Sequence, residues 1–328
     1  MARPNVVVIT GASAGVGRAT ALAFARRGSA LGLLARDTGA LTEVKAEVEA
    51  AGGRAVMVPT DVADCDEVEA AADEVEDAFG PIDAWINNAM ATIYAPLLEI
   101  GPEEFRRATE VTYLGVVHGT MAALKRMKPR NAGSIVQVGS ALAFQGIPLQ
   151  APYCGAKFAI RGFTHSVRAE LRHDRSRVHV GLVHLPAVNT PQFDWGLNRL
   201  PKKAQPVPPI YQPEVPARAI VWAARHRRRE LWVGASTVQL VLASRLAPWL
   251  LERMLAHKTW SGQMRDEPAD PARPSNLYTP VHGLHATHGS FDRQARESSP
   301  QLWLAMNRTW LVPLVLLPSL GILVWFLA

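Results

Sequence analysis

Three side chains near the middle of the chain have the types and spacing of an acid–base site. Tyr153 and Lys157 are four residues apart, so they share one face of a helix, and Ser140 precedes Tyr153 by thirteen residues at the end of an apolar run. A phenol with a pKa near 10 exchanges protons poorly at neutral pH, but an adjacent ammonium group lowers that pKa. The Ser140 hydroxyl can hydrogen-bond a substrate oxygen. The trio predicts proton exchange with a carbonyl or an alcohol, although a Tyr-x-x-x-Lys pair alone is also common on helix surfaces.

A glycine-rich stretch near the N-terminus supplies a second chemical signal. Gly11, Gly15 and Gly17 follow an apolar run and precede a helical pattern. Glycines in this context allow a tight turn and let the backbone approach a pyrophosphate at a helix N-terminus. The stretch therefore predicts a dinucleotide site, and a glycine turn without a ligand is the alternative.

The end of the second predicted strand bears on the choice of cofactor. An acidic residue at this position commonly binds the ribose 2′-hydroxyl of NAD, whereas a nearby arginine accommodates a 2′-phosphate. Here Ala35 occupies the acid position and Arg36 follows it, which favours NADP(H). Asp37 is either the ribose ligand or, as we expect, the cap of the next helix.

Strand and helix patterns alternate through the first two thirds of the chain, in the arrangement that would bring these residues together. The predicted strands are Val6–Thr10, Ala30–Ala35, Ala55–Pro59, Ala84–Asn87, Ser134–Gly139, Val178–Leu185 and Leu231–Gly234. The predicted helices lie between them, at about 16–27, 39–51, 65–79, 103–127 and 152–172. Apolar runs without alternation indicate strands that are buried on both faces. The order predicts an α/β fold, a Rossmann-type doubly wound parallel sheet.

The rest of the chain departs from this rhythm. Residues Pro186–Glu214 are proline-rich and predict a long functional loop with a short helix, and Val238–Leu255 predicts an apolar helix that contains Pro248. We expect a catalytic domain over residues 1–257 and an irregular Pro- and His-rich extension over 258–302. Residues 303–328 complete the chain as a predicted C-terminal membrane anchor.

The anchor prediction rests on residues 309–328, which carry no charge. As a helix this run is about 30 Å long, the thickness of a bilayer core, and Trp310 and Trp325 lie near its ends. Pro313 and Pro318 weaken the prediction, and a helix packed on the protein or in a dimer interface is the alternative. We expect a membrane-associated protein with its catalytic domain on the cytoplasmic side; a soluble cytoplasmic protein is the other possibility.

Charge and composition narrow the classes of partner. The net charge is +6, but no basic stripe interleaved with aromatic residues and no zinc-finger spacing is present, so we expect no nucleic acid. The basic run Arg225–Arg229 predicts a solvated helix end, or a surface that faces an anionic membrane. His282, His285 and His288 lack acidic neighbours in the sequence, and we expect no metal. The expected partners are a small, lipophilic substrate and further copies of the chain.

Taken in order, these motifs resemble those of the short-chain dehydrogenase/reductase family over about residues 5–235. The resemblance implies hydride transfer at a nicotinamide, with Tyr153 as acid or base and Lys157 also holding the ribose hydroxyls. It places Asp61 and Val62 beside the adenine, Asn87-Asn88-Ala89 along the cofactor, and Thr190 at the carboxamide. The expected cofactor-binding residues are Gly11, Ser13, Gly15, Val16, Gly17, Arg36, Asp61, Val62, Asn88, Ala89, Tyr153, Lys157, Pro186, Val188 and Thr190.

Three positions depart from the family pattern. Met90 and Ala187 stand where the family usually has glycine. Thr112 stands where the family has an asparagine that supports a water in its proton relay. We therefore assign catalysis to Ser140, Tyr153 and Lys157 alone.

The sequence thus predicts an NADP(H)-dependent oxidoreductase. A non-catalytic dinucleotide-binding regulator or scaffold is the main alternative, and an epimerase or dehydratase that retains its cofactor is a weaker one. The substrate pocket is expected between Ser140–Gln150 and the 188–210 loop, with Phe144, Phe193 and Trp195 as its apolar residues.

Overall fold

A computed structural model of the protein describes residues 5–308 of the chain. Its strands, in chain order, are β1 (Val6–Thr10), β2 (Ala30–Ala35), β3 (Arg54–Pro59), β4 (Ala84–Asn87), β5 (Ile93–Tyr94), β6 (Ser134–Ser140), β7 (His179–Leu185), β8 (Ala187–Val188), β9 (Leu197–Asn198), β10 (Lys202–Ala204), β11 (Ile210–Tyr211), β12 (Glu230–Trp232), β13 (Met264–Pro268) and β14 (Ala295–Arg296). Its α-helices are α1 (Gly15–Ala25), α2 (Thr38–Ala50), α3 (Cys65–Phe79), α4 (Pro102–Thr109), α5 (Gly115–Arg130), α6 (Ala151–His173), α7 (Gln192–Trp195), α8 (Glu214–Ala223), α9 (Ala235–Leu246) and α10 (Pro248–Gly262).

Seven strands form one parallel sheet in the order β3-β2-β1-β4-β6-β7-β12. The order reverses between β1 and β4, and in open α/β sheets ligands bind outside the carboxyl ends of the strands at such a switch point. The predicted Rossmann-type doubly wound sheet is confirmed. β1 shows why its sequence does not alternate: Val7 and Ile9 pack on one side of the sheet while Val6 and Val8 pack on the other, so all four are buried.

Helices cover both faces of the sheet. One apolar core lies beneath α1, α2 and α8, and the other lies beneath α3, α5 and α6. The predicted helix over 103–127 is interrupted, because α4 and α5 are joined by a π-helical segment, Glu110–Leu114. α8, which has no predicted counterpart, closes the first face next to α1.

The apolar helix predicted over Val238–Leu255 is two helices. α9 ends before Ala247 and α10 begins at Pro248. Proline has no backbone N–H and fixes its own φ, so it is favourable in a first helical turn and unfavourable inside a helix. Pro248 therefore starts a new helix rather than lying within one.

The extension joins the catalytic domain through short strands. β13 pairs antiparallel with β10, and β14 pairs parallel with β11, which itself pairs with β8. The predicted boundary at residue 257 falls inside α10. Among residues 5–308, no helix has both the length and the hydropathy to cross a bilayer. The predicted membrane span at 309–328 lies outside the described residues.

Candidate active site

The structure brings the three predicted catalytic side chains into one cavity of about 430 Å³. Ser140 is the last residue of β6, while Tyr153 and Lys157 lie one turn apart on α6. Ser140 and Lys157 are both buried, at 6% and 3% exposure. The Ser140 Oγ accepts a hydrogen bond from the Leu142 backbone N–H at 3.1 Å, which fixes its side chain at the end of the strand. The spacing in the sequence thus corresponds to a shared site.

Burial dominates the electrostatics of the Tyr153–Lys157 pair in this structure, and the lowering of the Tyr153 pKa by Lys157 stays a prediction. Burial raises the pKa of the Tyr153 phenol to about 12, and a hydrogen bond with the Ser140 side chain offsets this only in part. Burial also lowers the pKa of the Lys157 ammonium to about 8. Desolvation disfavours the charged form of each group. Tyr153 is therefore protonated at neutral pH and could donate that proton.

Lys157 is a buried cation with spare hydrogen-bonding capacity. Its Nζ lies 5.4 Å from the centroid of the Tyr153 ring and donates to the Val138 carbonyl oxygen at 2.8 Å. An ammonium group has three donors, and the described residues supply that single acceptor. The remaining donors suit a hydroxyl-bearing ligand in the same cavity.

The glycine turn has the shape that a dinucleotide requires. Gly11 and Gly15 adopt φ of +65° and +54°, and a Cβ on Gly11 would lie 2.8 Å from the Ala89 Cα. The N-terminus of α1 has no side-chain cap, and the Gly15 N–H at the start of the helix donates to the Ala286 carbonyl oxygen at 2.9 Å. Gly17, predicted to bind the cofactor, lies outside the cavity lining; a Cβ on it would lie 2.0 Å from the Gly11 carbonyl oxygen. Gly17 permits close packing rather than ligand contact.

The end of β4 is fastened to this turn. Asn88 donates through Nδ2 to the Thr10 and Gly11 carbonyl oxygens, at 3.0 and 3.2 Å, and both Asn88 and Ala89 line the cavity. The prediction that Asn87 lines the cofactor was wrong. Its side chain is buried among Trp85, Gln137 and neighbouring groups of α5, where it accepts from the Trp85 Nε1 at 2.8 Å. Asn87 points into the core because alternate residues of a strand face opposite sides.

At the end of β2, Arg36 and Asp37 have different roles. Arg36 lines the cavity, and its guanidinium donates to backbone carbonyl groups of Asn276, Leu277 and Tyr278. Asp37 caps α2 by accepting from the Ala40 N–H at 2.8 Å, as predicted. Burial lowers the pKa of Arg36, and the Asp61 carboxylate opposes that effect.

The remaining predicted cofactor residues also line the cavity, as a group drawn from the turn, the end of β3 and the loop after β7. They are Ser13, Val16, Asp61, Val62, Pro186, Val188 and Thr190. Met90 and Ala187, which stand where the family usually has glycine, line the cavity as well.

Two of the three predicted apolar pocket residues are in place. Phe193 and Trp195 line the cavity. Phe144 does not; its ring packs edge-on against His184 and Trp232. A wall that the sequence analysis missed comes from α9 and α10, which contribute Leu240 and Leu255 among others. Their apolar periodicity was recognised, but nothing in it indicated which cavity they would face.

Thr112 lies in the π-helical segment and is fully buried. Its Oγ1 donates to the Ala91 carbonyl oxygen at 2.9 Å and accepts from the Ala91 N–H at 3.0 Å. Both hydrogen bonds of the Thr112 hydroxyl are therefore made to the backbone of the loop that follows β4.

The second wall that the sequence analysis missed comes from the extension, which contributes Asn276, Pro280, Val281 and His285 to the cavity. No residue pattern marked Asn276, Pro280 or Val281, and the spacing of His285 to His282 and His288 did not indicate that it lines a cavity. Within residues 5–308, no group of three metal-ligating side chains is placed to hold a metal ion.

Comparison with known proteins identifies relatives of this chain. A family model described as "short chain dehydrogenase" matches residues 5–195. An uncharacterized oxidoreductase of Bacillus subtilis, YxnA, is 33% identical over 285 residues, which is 86% of this chain and 80% of that protein. A 3-dehydrosphinganine reductase of Danio rerio is 32% identical over 192 residues, 57% of each chain.

A solved structure shares the fold. It is an alcohol dehydrogenase from the archaeon Thermococcus sibiricus complexed with 5-hydroxy-NADP, with a TM-score of 0.61 and 28% sequence identity. The match covers 70% of this chain and 95% of that one.

Proposed function

Since the chain belongs to the short-chain dehydrogenase family, we propose that it is an NADP(H)-dependent oxidoreductase that interconverts a carbonyl and an alcohol. The observation that carries this proposal is the single cavity in which Ser140, Tyr153 and Lys157 lie together with the glycine turn. A regulator or scaffold that only binds a dinucleotide has no need for a buried acid–base pair.

In the direction of reduction, Tyr153 donates its proton to the substrate carbonyl oxygen. A phenol with a pKa of about 12 stays protonated at neutral pH and is a suitable proton donor to an oxygen that gains negative charge. The Ser140 hydroxyl orients that same oxygen. The cofactor, when bound, supplies the hydride.

Lys157 has two tasks in this proposal. Its ammonium charge stabilises the tyrosinate that remains once the proton has left, and its free donors hold the ribose hydroxyls beside the nicotinamide. Both tasks require the positive charge, which Lys157 holds below its pKa of about 8.

The preference for NADP(H) rests on the end of β2. Ala35 leaves the usual position of the ribose carboxylate without an acid, Arg36 lines the cavity, and the Asp37 carboxylate is engaged as a helix cap. A guanidinium can pair with a 2′-phosphate through charge-assisted hydrogen bonds. When it pairs with the phosphate, the Arg36 guanidinium would give up hydrogen bonds to the carbonyl oxygens of residues 276–278.

A lipophilic substrate fits the walls of the cavity. Leu142, Ile147, Phe193, Leu240 and Leu255 line it near the catalytic end. The same helices that supply the last two present exposed apolar side chains on their outer surfaces, namely Leu242, Leu246, Trp249, Leu250, Met254 and Trp260. Exposed apolar patches of this kind are typical of surfaces that meet a membrane or another protein.

The proposal includes association with a membrane through residues 309–328, with the catalytic domain on the cytoplasmic side, and assembly with further copies of the chain. The uncharged run supports the first of these. Full-length protein is expected to sediment with membranes and to resist a high-salt wash, because salt does not screen hydrophobic insertion. Full-length protein that remains in the supernatant without detergent would contradict the anchor.

The test of the activity is a substrate screen. Purified full-length protein in detergent is incubated with NADPH and a panel of carbonyl compounds that includes long-chain ketones, and the loss of NADPH absorbance is followed. We expect turnover that favours the apolar members of the panel. The Tyr153→Phe protein is the matched control, since it keeps the cavity but lacks the proton donor. Tight NADPH binding without turnover on any carbonyl or alcohol would favour the non-catalytic alternative.

A further inference from the structure

A segment of the extension, Asn276–Gly289, crosses the mouth of the dinucleotide cleft; we call it the strap. On one side it is fastened to the glycine turn and α1. The Gly15 N–H donates to the Ala286 carbonyl oxygen at 2.9 Å, and the Arg18 Nη1 donates to the His285 carbonyl oxygen at 3.0 Å.

The strap is fastened on the opposite side as well. The Asn276 N–H donates to the Trp195 carbonyl oxygen at 3.0 Å, and the Gly289 N–H donates to the Asn189 carbonyl oxygen at 3.3 Å. A Cβ on Gly289 would lie 2.6 Å from the Thr190 carbonyl oxygen, so this end lies directly against the loop that follows β8. The strap therefore spans the cleft from one rim to the other.

His285 is the strap residue whose side chain faces the cleft. Its side chain is 11% exposed and lines the cavity, and neither ring nitrogen makes a hydrogen bond of good geometry, although the Val281 backbone lies close enough to act on the ring. The ring packs on Trp195 with centroids 4.9 Å apart, and its Nε2 lies 3.4 Å from the Asp37 Oδ2. A buried polar group without a partner is costly unless a ligand supplies one.

The two neighbouring histidines differ from His285. His282 is exposed and its Nδ1 bonds the Asp37 carboxylate, while His288 lies on the surface with its Nε2 2.9 Å from the Glu214 Oε1. The three histidines are evenly spaced in the sequence, but in the structure only the ring of His285 lines the cavity. Burial lowers the pKa of His285, so its imidazole is neutral at pH 7 and offers one donor and one acceptor.

We propose that the strap is a wall of the dinucleotide site and that His285 hydrogen-bonds a hydroxyl of the cofactor's adenosine ribose. This inference rests on the proposed function, because it requires a dinucleotide in the cleft. The ribose is the assigned partner because His285 lies beside Asp37, two residues after Ala35, and the position of Ala35 at the end of β2 is the one that reads the ribose in dinucleotide folds. A hydroxyl both donates and accepts, which matches a neutral imidazole.

The first test compares two single substitutions on the same strap. Binding of NADPH and of NADH is measured by the quenching of tryptophan fluorescence for the wild type, for His285→Ala and for His288→Ala. We expect His285→Ala to weaken both cofactors by about tenfold, as the loss of one good hydrogen bond would. His288→Ala should match the wild type. Equal binding by His285→Ala and the wild type would overturn the contact, and a loss confined to NADPH would overturn its assignment to the ribose.

The second test uses the wild-type protein and does not depend on how a variant folds. Hydrogen–deuterium exchange of peptides from the strap is followed by mass spectrometry with and without saturating NADPH. A strap that forms a wall of the site should exchange more slowly when NADPH is bound. Faster exchange would show that NADPH displaces the strap, and unchanged exchange would show that the two do not meet; either result overturns the inference.

These measurements separate the inference from the proposed function. A wild-type protein that binds neither dinucleotide refutes both. A wild-type protein that binds and turns over NADPH, with no response at His285 or in the strap, refutes the inference alone.

Discussion

The two ends of the dinucleotide cleft are built from different parts of the chain. At the catalytic end, Ser140, Tyr153 and Lys157 come from one strand and the helix that follows it, and they act through side chains. At the adenosine end, Arg36 meets main-chain carbonyl groups of the strap, and its bond to Tyr278 joins residues that are 242 positions apart.

This difference predicts that the catalytic end determines turnover and that the adenosine end determines cofactor affinity. Substitutions of Ser140 or Tyr153 at the catalytic end should change turnover and leave cofactor affinity nearly intact. Substitutions at the adenosine end should do the reverse.

Tyr153→Phe should have the largest effect. It removes the proton donor and keeps the ring, so we expect turnover to fall by roughly 10²-fold or more, in line with general acid catalysis. The dissociation constant of NADPH should change by less than about twofold, which fluorescence titration can measure.

Tyr113→Phe is the matched control for this change. Tyr113 is partly buried and packs edge-on against Phe163, outside the cavity lining. Its hydroxyl can be removed without touching the site, and turnover should be retained. Equal losses in the two variants would mean that the Tyr153 effect is structural.

The catalytic end could be predicted because its determinants are local. The spacing of Tyr153 and Lys157 selects one helix face, and the apolar run before Ser140 specifies a strand that ends beside them. The parallel sheet could be predicted for the same reason, since strands such as β1 are apolar throughout and buried on both faces.

Arg36→Ala probes the adenosine end. Loss of charge-assisted hydrogen bonds to a 2′-phosphate should weaken NADPH binding by about 10- to 100-fold and NADH binding much less, with turnover at saturating cofactor retained. Titrations with both cofactors measure this. If NADPH and NADH lose affinity equally, Arg36 serves to hold the strap and not to select the phosphate.

The strap could not be predicted because its contacts carry no residue pattern. The Arg36 partners are peptide carbonyl oxygens, which every residue possesses, so nothing at Asn276, Leu277 or Tyr278 identifies them. The same limit applies to His285, whose burial arises from tertiary packing and not from its spacing to the other histidines. The burial of Tyr153 could not be predicted for a related reason, because the degree of desolvation depends on the folded surroundings.

The pH dependence of reduction tests whether Lys157 links the two ends. Its charge is complete well below its pKa of about 8 and is lost as the pH rises through that value. Tyr153, with a pKa of about 12, keeps its proton over the same range. We therefore expect kcat/KM for NADPH to be flat below pH 8 and to fall by up to about tenfold per pH unit above it.

Lys157→Arg provides the control, because a guanidinium keeps its charge across this range. The variant should be slower overall, and its profile should lack the fall above pH 8. A fall that persists in Lys157→Arg would assign the ionisation to another group.

Thr112→Val should affect the reaction least. The Thr112 hydroxyl both donates to and accepts from the backbone of Ala91, so its removal leaves a buried N–H and a buried C=O without partners. We expect the free energy of unfolding, measured in urea, to fall by about 2 kcal/mol, while turnover changes by less than about twofold. If turnover instead falls tenfold at unchanged stability, Thr112 takes part in proton transfer as the family's asparagine does. Catalysis would then depend on Thr112, a residue that the spacing of Ser140, Tyr153 and Lys157 does not reveal.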